Sequence, residues 1–232
     1  MGGESNQFSA AEAASALRWW LDAGVDGAVQ EAPRDWLKAC VAASEPAPSP
    51  TEPLPETLDL FRDWLGTATS LPLGNASARR VLPHGAEGAP VMLIAEMPAR
   101  EDAAAGRPIG GEAWALTEKM LAAIGIAADE AYCANLACFH APGTKLGAAD
   151  LEACAAIARR HIALAKPQRL LLLGDAPARA LLGKPMTAAR GHAHKVEGVR
   201  AVVTFHPRQL LTRPSDKALA WRDLLLLMED EA

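Results

Sequence analysis

The chain has 232 residues, half of them hydrophobic, with a formal net charge of −5, which is enough for one sizeable core plus an accessory segment. No apolar run approaches the length of a membrane span, and no basic-then-apolar leader opens the sequence, so a cytoplasmic chain with no membrane partner is expected. The charge is uneven. Residues 1–75 carry 4 Lys/Arg against 11 Asp/Glu, whereas residues 76–232 carry 19 against 17, which leaves the later part as the electrostatic candidate for nucleic acid and excludes tight non-specific binding through many phosphates.

In chain order, Ser9 with Glu12 forms a capping box that opens a helix carrying Leu17, Trp19, Trp20 and Leu21 and stopping near Gly24. The tryptophans are expected to pack in a core. A second helix is predicted from Pro33 through Val41, and the proline-rich stretch 46–55 reads as an extended linker. This divides the chain into an acidic helical leader with its linker, 1–55, and a main domain, 56–232. A helix at 57–65 follows. Strands are then predicted at 91–95, 131–136, 169–173 and 201–205, alternating with helices at 111–124, 148–165 and 176–182 and closing on a helix at 215–228. That alternation predicts an α/β fold, a three-layer α/β/α domain with a central, mainly parallel four-stranded sheet.

Candidate chemistry falls at the strand ends, where open α/β sheets bind ligands. Strand one runs into Ala95-Glu96-Met97-Pro98-Ala99, then Gly106-Arg107-Pro108-Ile109-Gly110-Gly111. Glu96 is a candidate functional carboxylate, or else a helix-capping or ion-pairing one; Arg107 and the glycines suit phosphate oxygens, or simply turn the chain. Strand two ends at Asn135, whose amide carries both a donor and an acceptor suited to a nucleobase edge, and equally suits a turn. The last strand ends in Phe205-His206-Pro207-Arg208, placing a histidine at the same rim, where it either faces a cleft or caps a loop. The cysteines Cys40, Cys133, Cys138 and Cys154 include no C-x-x-C pair, so no metal site is expected, and buried reduced thiols are the reading.

Taken in order, Ala95-Glu96-Met97-Pro98-Ala99, Gly106-Arg107-Pro108, Asn135 with Pro142-Gly143, Leu173-Gly174, Arg190-Gly191 and His206-Pro207 resemble the uracil-DNA glycosylase superfamily, nearest its iron–sulfur branch, family 4. The likeness spans about residues 57–228, and several ordered motifs are far more specific than one. It implies a DNA-repair hydrolase that cleaves the N-glycosidic bond of a uracil flipped out of DNA. By that resemblance Glu96 and His206 are catalytic, Met97, Pro98, Ile109 and Asn135 bind the base, and Arg107, Pro207, Arg208, Leu210, Leu211 and Arg213 meet DNA, with Leu210 and Leu211 in an inserting loop. The partner implied is DNA, probed by a monomer. The departures are specific. Ala68, Leu71 and Phe139 stand at three cluster-cysteine positions, leaving Cys154 alone, so no cofactor is expected and the cluster is read as lost. Ile109 replaces an aromatic that stacks on the base, and Met97 replaces a small residue. The alternatives are a catalytically weakened or inactive member that binds DNA or a damaged base, and a hydrolase of another base or a small amide.

Overall fold

The protein is described by a computed structural model covering residues 14–15, 18–20, 22–24, 54–74, 79–141, 143–144 and 146–229. It divides into two compact units, residues 1–44 and 45–232. In the first, residues 14–15, 18–20 and 22 are helical, and Trp19 and Trp20 are exposed rather than packed in a core. The expected helix after Pro33 and most of the proline-rich stretch lie outside the described residues.

The second unit opens with α1 (Leu58–Thr67), whose first-turn amide at Leu60 is capped by the Thr57 hydroxyl. Then come β1 (Met92–Ala95), α2 (Arg100–Ala105), α3 (Gly111–Ala123), β2 (Tyr132–Asn135), α4 (Ala148–Ala165), β3 (Arg169–Leu173), α5 (Asp175–Leu182), α6 (Met186–Ala189), β4 (Ala193–Val196), β5 (Val199–Thr204), α7 (Pro207–Thr212) and α8 (Lys217–Met228). The sheet order is β2-β1-β3-β5-β4, parallel throughout except for β4, which pairs antiparallel with β5.

The sheet therefore has five strands, not four. Sequence reasoning missed β4 because its face is polar; its signal is the tight turn at Glu197 and Gly198, both at positive φ (49° and 79°), which joins β4 to β5 as a hairpin. The helices of 100–105 and 186–189 were also unforeseen, being too short to show a periodicity. The edge strand β2 is covered by the segment 80–84, which bridges Phe139 and Cys133 and so leaves no open ladder there.

Alternation along the strands builds a core on each face. Met92, Ile94, Leu170, Leu172, Ala201 and Val203 face a cluster completed by Phe61 and Leu65 of α1, Ile157 and Ile162 of α4, and Leu181 of α5. Leu93, Leu171, Leu173 and Val202 face the other, completed by Ala113 and Leu121 of α3 and Leu224 and Leu227 of α8. Runs such as Leu170-Leu171-Leu172-Leu173 are apolar on both faces because both faces are covered. None of the described helices is long and apolar enough to cross a membrane.

Candidate active site

From β1 the connection to β2 leaves toward one side of the sheet and the return to β3 lands on the other, so the order reverses between β1 and β3. Such a reversal opens a crevice at the carboxyl ends of the strands. Glu96 follows β1 on one wall. His206 lies just beyond β5, two strands away, about 10 Å at normal strand spacing. Between them β3 is followed by Gly174, whose φ of 98° suits glycine and where a Cβ would meet nothing within 4 Å.

Asn135 closes β2 in register with Ala95, so it stands beside the entry to the Glu96 loop. Its Nδ2 donates to the Pro108 carbonyl (3.3 Å), while its Oδ1 is buried with no hydrogen-bond partner. A buried acceptor without a donor costs on the order of 1–3 kcal/mol, and such an atom in a crevice is where a ligand N–H belongs.

His206 is the N-cap of α7, with Pro207 at the first helical position and the Arg208 N–H donating to its Nδ1 (3.1 Å). The capping reading of this histidine therefore holds, and with Nδ1 used as an acceptor the neutral ring carries its proton on Nε2. Burial first, then the Arg208 charge, push its pKa down to about 4 against an opposing pull from Asp102. The imidazole is neutral at physiological pH. Glu96 moves the other way: burial first, and the negative charge of Asp175 second, raise its pKa above the usual carboxylate value. Asp175 itself is held low, chiefly by its hydrogen bond with Arg179.

The other expected site residues divide. Pro98 is buried and its carbonyl accepts from His140 Nδ1 (2.8 Å), which stitches the Glu96 loop to the segment after β2. Met97 is half-buried against the core. Ile109 is 1 % exposed and belongs to the core with Leu93 and Ala113, so it presents no open face to a base. Arg107 stacks over the Trp114 ring at 4.3 Å. The stretch after His206 is helix α7 rather than a loop, because Pro207 is tolerated at a helix start and His206 caps it. In that helix Leu210 is 1 % exposed, packed with Phe205 and Ala220, and cannot insert elsewhere; Leu211 and Arg213 are exposed. Arg208 is an ion-pair partner of the buried Asp102 instead of a free surface cation.

Sequence reasoning passed over three contributors: Asp102, Asp175 and His140. Asp102 had a signal, since an acidic residue three positions after Ala99 suits the third residue of a helix whose first turn lacks partners. The other two had none that a single chain shows.

Beside the crevice, Arg190 lies over the Phe205 ring (3.9 Å), and its Nε and Nη2 donate to Asp223 Oδ2 (2.9 and 2.8 Å). Thr204 Oγ1 donates to the same oxygen (2.8 Å). This network anchors the end of β5, and hence His206, to α8.

A sequence profile of the Uracil DNA glycosylase superfamily matches residues 82–225, which takes in every strand and the whole crevice. The chain belongs to the uracil-DNA glycosylase superfamily. Among curated proteins it is 25% identical over 147 residues to a type-4 uracil-DNA glycosylase of Pyrobaculum aerophilum, covering 59% of this chain and 75% of that protein. It is also 25% identical over 141 residues to a type-4 uracil-DNA glycosylase of Archaeoglobus fulgidus, covering 56% and 71%. The likeness to the family 4 branch is thus supported by its relatives as well as its motifs.

The four positions aligned with that branch's cluster ligands lie on one face of the sheet in this uracil-DNA glycosylase superfamily member. Leu71, Phe139 and Cys154 are buried in one core cluster with Ala68 packed against it. The Arg80 guanidinium lies 5.1 Å from the Phe139 ring centroid and donates to the Leu65 and Ala68 carbonyls (2.8 and 2.7 Å). Of the described cysteines only Cys138 and Cys154 share this face, and burial pushes their thiols up to about 11 and about 12. A cluster held by about four thiolates does not fit a donor set of two cysteines, a leucine and a phenyl ring beneath an arginine.

Proposed function

We propose that this protein is a uracil-DNA glycosylase that hydrolyses the N-glycosidic bond of a uracil flipped out of DNA. The observation that carries this reading is the buried, unpartnered Oδ1 of Asn135. Uracil has an N3–H that can donate to that oxygen; neutral cytosine has a lone pair at N3 and would leave two acceptors facing each other. The type-4 names of the two relatives support the same substrate.

Cleavage sends the C1′–N1 electron pair to uracil, where the charge spreads to O2 and O4, and leaves C1′ short of electrons until water adds. A neutral His206 with its proton on Nε2 donates a hydrogen bond to the developing oxyanion, which stabilises the transition state more than the ground state. The Glu96 carboxylate stabilises the positive sugar and orients the water that attacks C1′. Leu211, the exposed leucine of α7, fills the space the flipped base leaves, with Arg107 and Arg213 nearest the phosphates. A weakened catalyst is the second reading, and Ile109 is what favours it: sunk in the core, it offers no ring on which the base could stack, a contact worth about 1–3 kcal/mol.

The test is single-turnover incubation of uracil-containing single and double strands with excess protein. Abasic product with the wild type and its loss in Glu96→Gln and His206→Ala support the glycosylase; retained binding with no abasic product points to the second reading. We further propose that the domain is complete without an iron–sulfur cluster, Arg80 and Phe139 bracing the region instead. Colourless protein, free of bound iron after anaerobic purification, is the expected result; stoichiometric iron contradicts it.

A further inference from the structure

One charge in this domain is both wholly buried and shared among three separate segments. Asp102 is 0 % exposed. Its Oδ2 accepts from the Ala99 N–H (2.8 Å), the residue that ends the Glu96-Met97-Pro98 loop. Its Oδ1 accepts from the Gly110 N–H (2.5 Å), two residues from the Pro108 carbonyl that holds Asn135. The same oxygen pairs with Arg208 Nη2, and the Arg208 N–H fixes Nδ1 of His206. Even the Asp102 backbone takes part, its carbonyl accepting from the Arg107 N–H (3.1 Å).

A buried carboxylate is costly unless its lone pairs are filled, so the arrangement is stable only when all three segments are in place together. Gly110 is fitted to this approach: a Cβ there would lie 3.2 Å from Asp102 Oδ1 and 3.3 Å from the Ala105 Cβ.

We propose that Asp102 is a positioning residue that sets Glu96, Asn135 and His206 in register with one another through a single buried charge, with Arg208 as its partner. This rests on the reading of those three residues as the reactive site. Asp102 touches no substrate; it acts by holding the Glu96 loop, the 106–110 loop and the start of α7 to one point, and a displacement of about 1 Å in such a constellation costs on the order of 100-fold in rate.

The experiment compares wild type, Asp102→Asn, Arg208→Gln and the double variant. Single-turnover uracil release should fall on the order of 100-fold in each single variant, with DNA affinity changed much less, and the double variant should be no slower than the slower single, because the two residues act as one unit. Arg208→Lys, which keeps the charge, should recover part of the loss, and it stands in should Asp102→Asn fail to fold. In parallel, ¹⁵N NMR of the His206 ring at neutral pH reads the network without any substrate: a single Nε2–H tautomer in the wild type, where the backbone N–H of residue 208 holds Nδ1, and a tautomer mixture in the variants, where loss of the side-chain pair with Asp102 lets the start of α7 shift and lengthens that bond. If the wild type releases no uracil but the tautomer is lost in the variants, the positioning role stands and the glycosylase reading fails. If wild-type rates and an unchanged tautomer persist in Asp102→Asn and Arg208→Gln, or the effects simply add, the positioning role is overturned.

Discussion

Replacing His161 with Gln should flatten the acid side of the protein's stability profile. His161 is 4 % exposed, its Nε2 is 2.7 Å from the Tyr132 hydroxyl, and its ring lies 4.8 Å from that of Phe61. Burial first, and the Arg62 charge second, push its pKa from 6.5 down to about 3. A lowered histidine leaves the unfolded chain as the better proton acceptor, so its contribution is fully present above pH 6.5 and is lost as pH falls toward the folded value. Each pH unit in that window removes about 1.4 kcal/mol, which amounts to about 2 kcal/mol between neutrality and pH 5. Gln fills similar space and keeps an acceptor for the Tyr132 hydroxyl, but does not titrate. Urea unfolding at pH 7 and pH 5 measures it: the variant is the less stable protein at pH 7 through lost ring contacts, and the gap should close by about 2 kcal/mol at pH 5. Wild type and variant losing equal stability between the two pH values would refute the assignment of His161 as a buried neutral imidazole.

Asp223→Ala strands the Arg190 guanidinium and the Thr204 hydroxyl, both of which depend on one carboxylate oxygen. With Arg190 only 16% exposed at its side chain, the expected loss is about 3–5 kcal/mol in urea unfolding; a loss under about 1 kcal/mol, the scale of a surface pair, contradicts a buried network. For activity, the proposed role of Glu96 needs its carboxylate form, so the rate should fall with decreasing pH through a midpoint above the ordinary carboxylate value of 4.5, and Asp175→Asn, by removing a like charge, should move that midpoint down. A midpoint that stays put or rises in Asp175→Asn counts against the pairing.

The four parallel strands were legible because both faces of each are buried, which makes 170–173 and 201–203 read as unbroken apolar runs. Strand β4 was not, since half its residues face water and only the Glu197-Gly198 turn marks it. The crevice residues Glu96, Asn135 and His206 follow from one rule, that ligands meet parallel strands at their carboxyl ends. What each does there was less accessible. Whether Leu210 or Leu211 faces outward depends on the helical phase of α7, and Pro207, read as ending a strand, equally starts a helix. Ile109 and Arg208 carry the same lesson: a motif position gives a residue's place in the chain, while burial in the core or an ion pair with Asp102 is settled by distant segments.

The central claim is that the Asn135 carbonyl reads the N3–H of uracil, and its most direct measurement is the single-turnover rate on matched oligonucleotides carrying uracil or cytosine at one position, for wild type and Asn135→Ala. The account predicts rapid release of uracil with none of cytosine by the wild type, and a loss on the order of 100-fold or more on uracil in the variant, the scale of one transition-state hydrogen-bond partner removed. Undiminished uracil release by Asn135→Ala would contradict it.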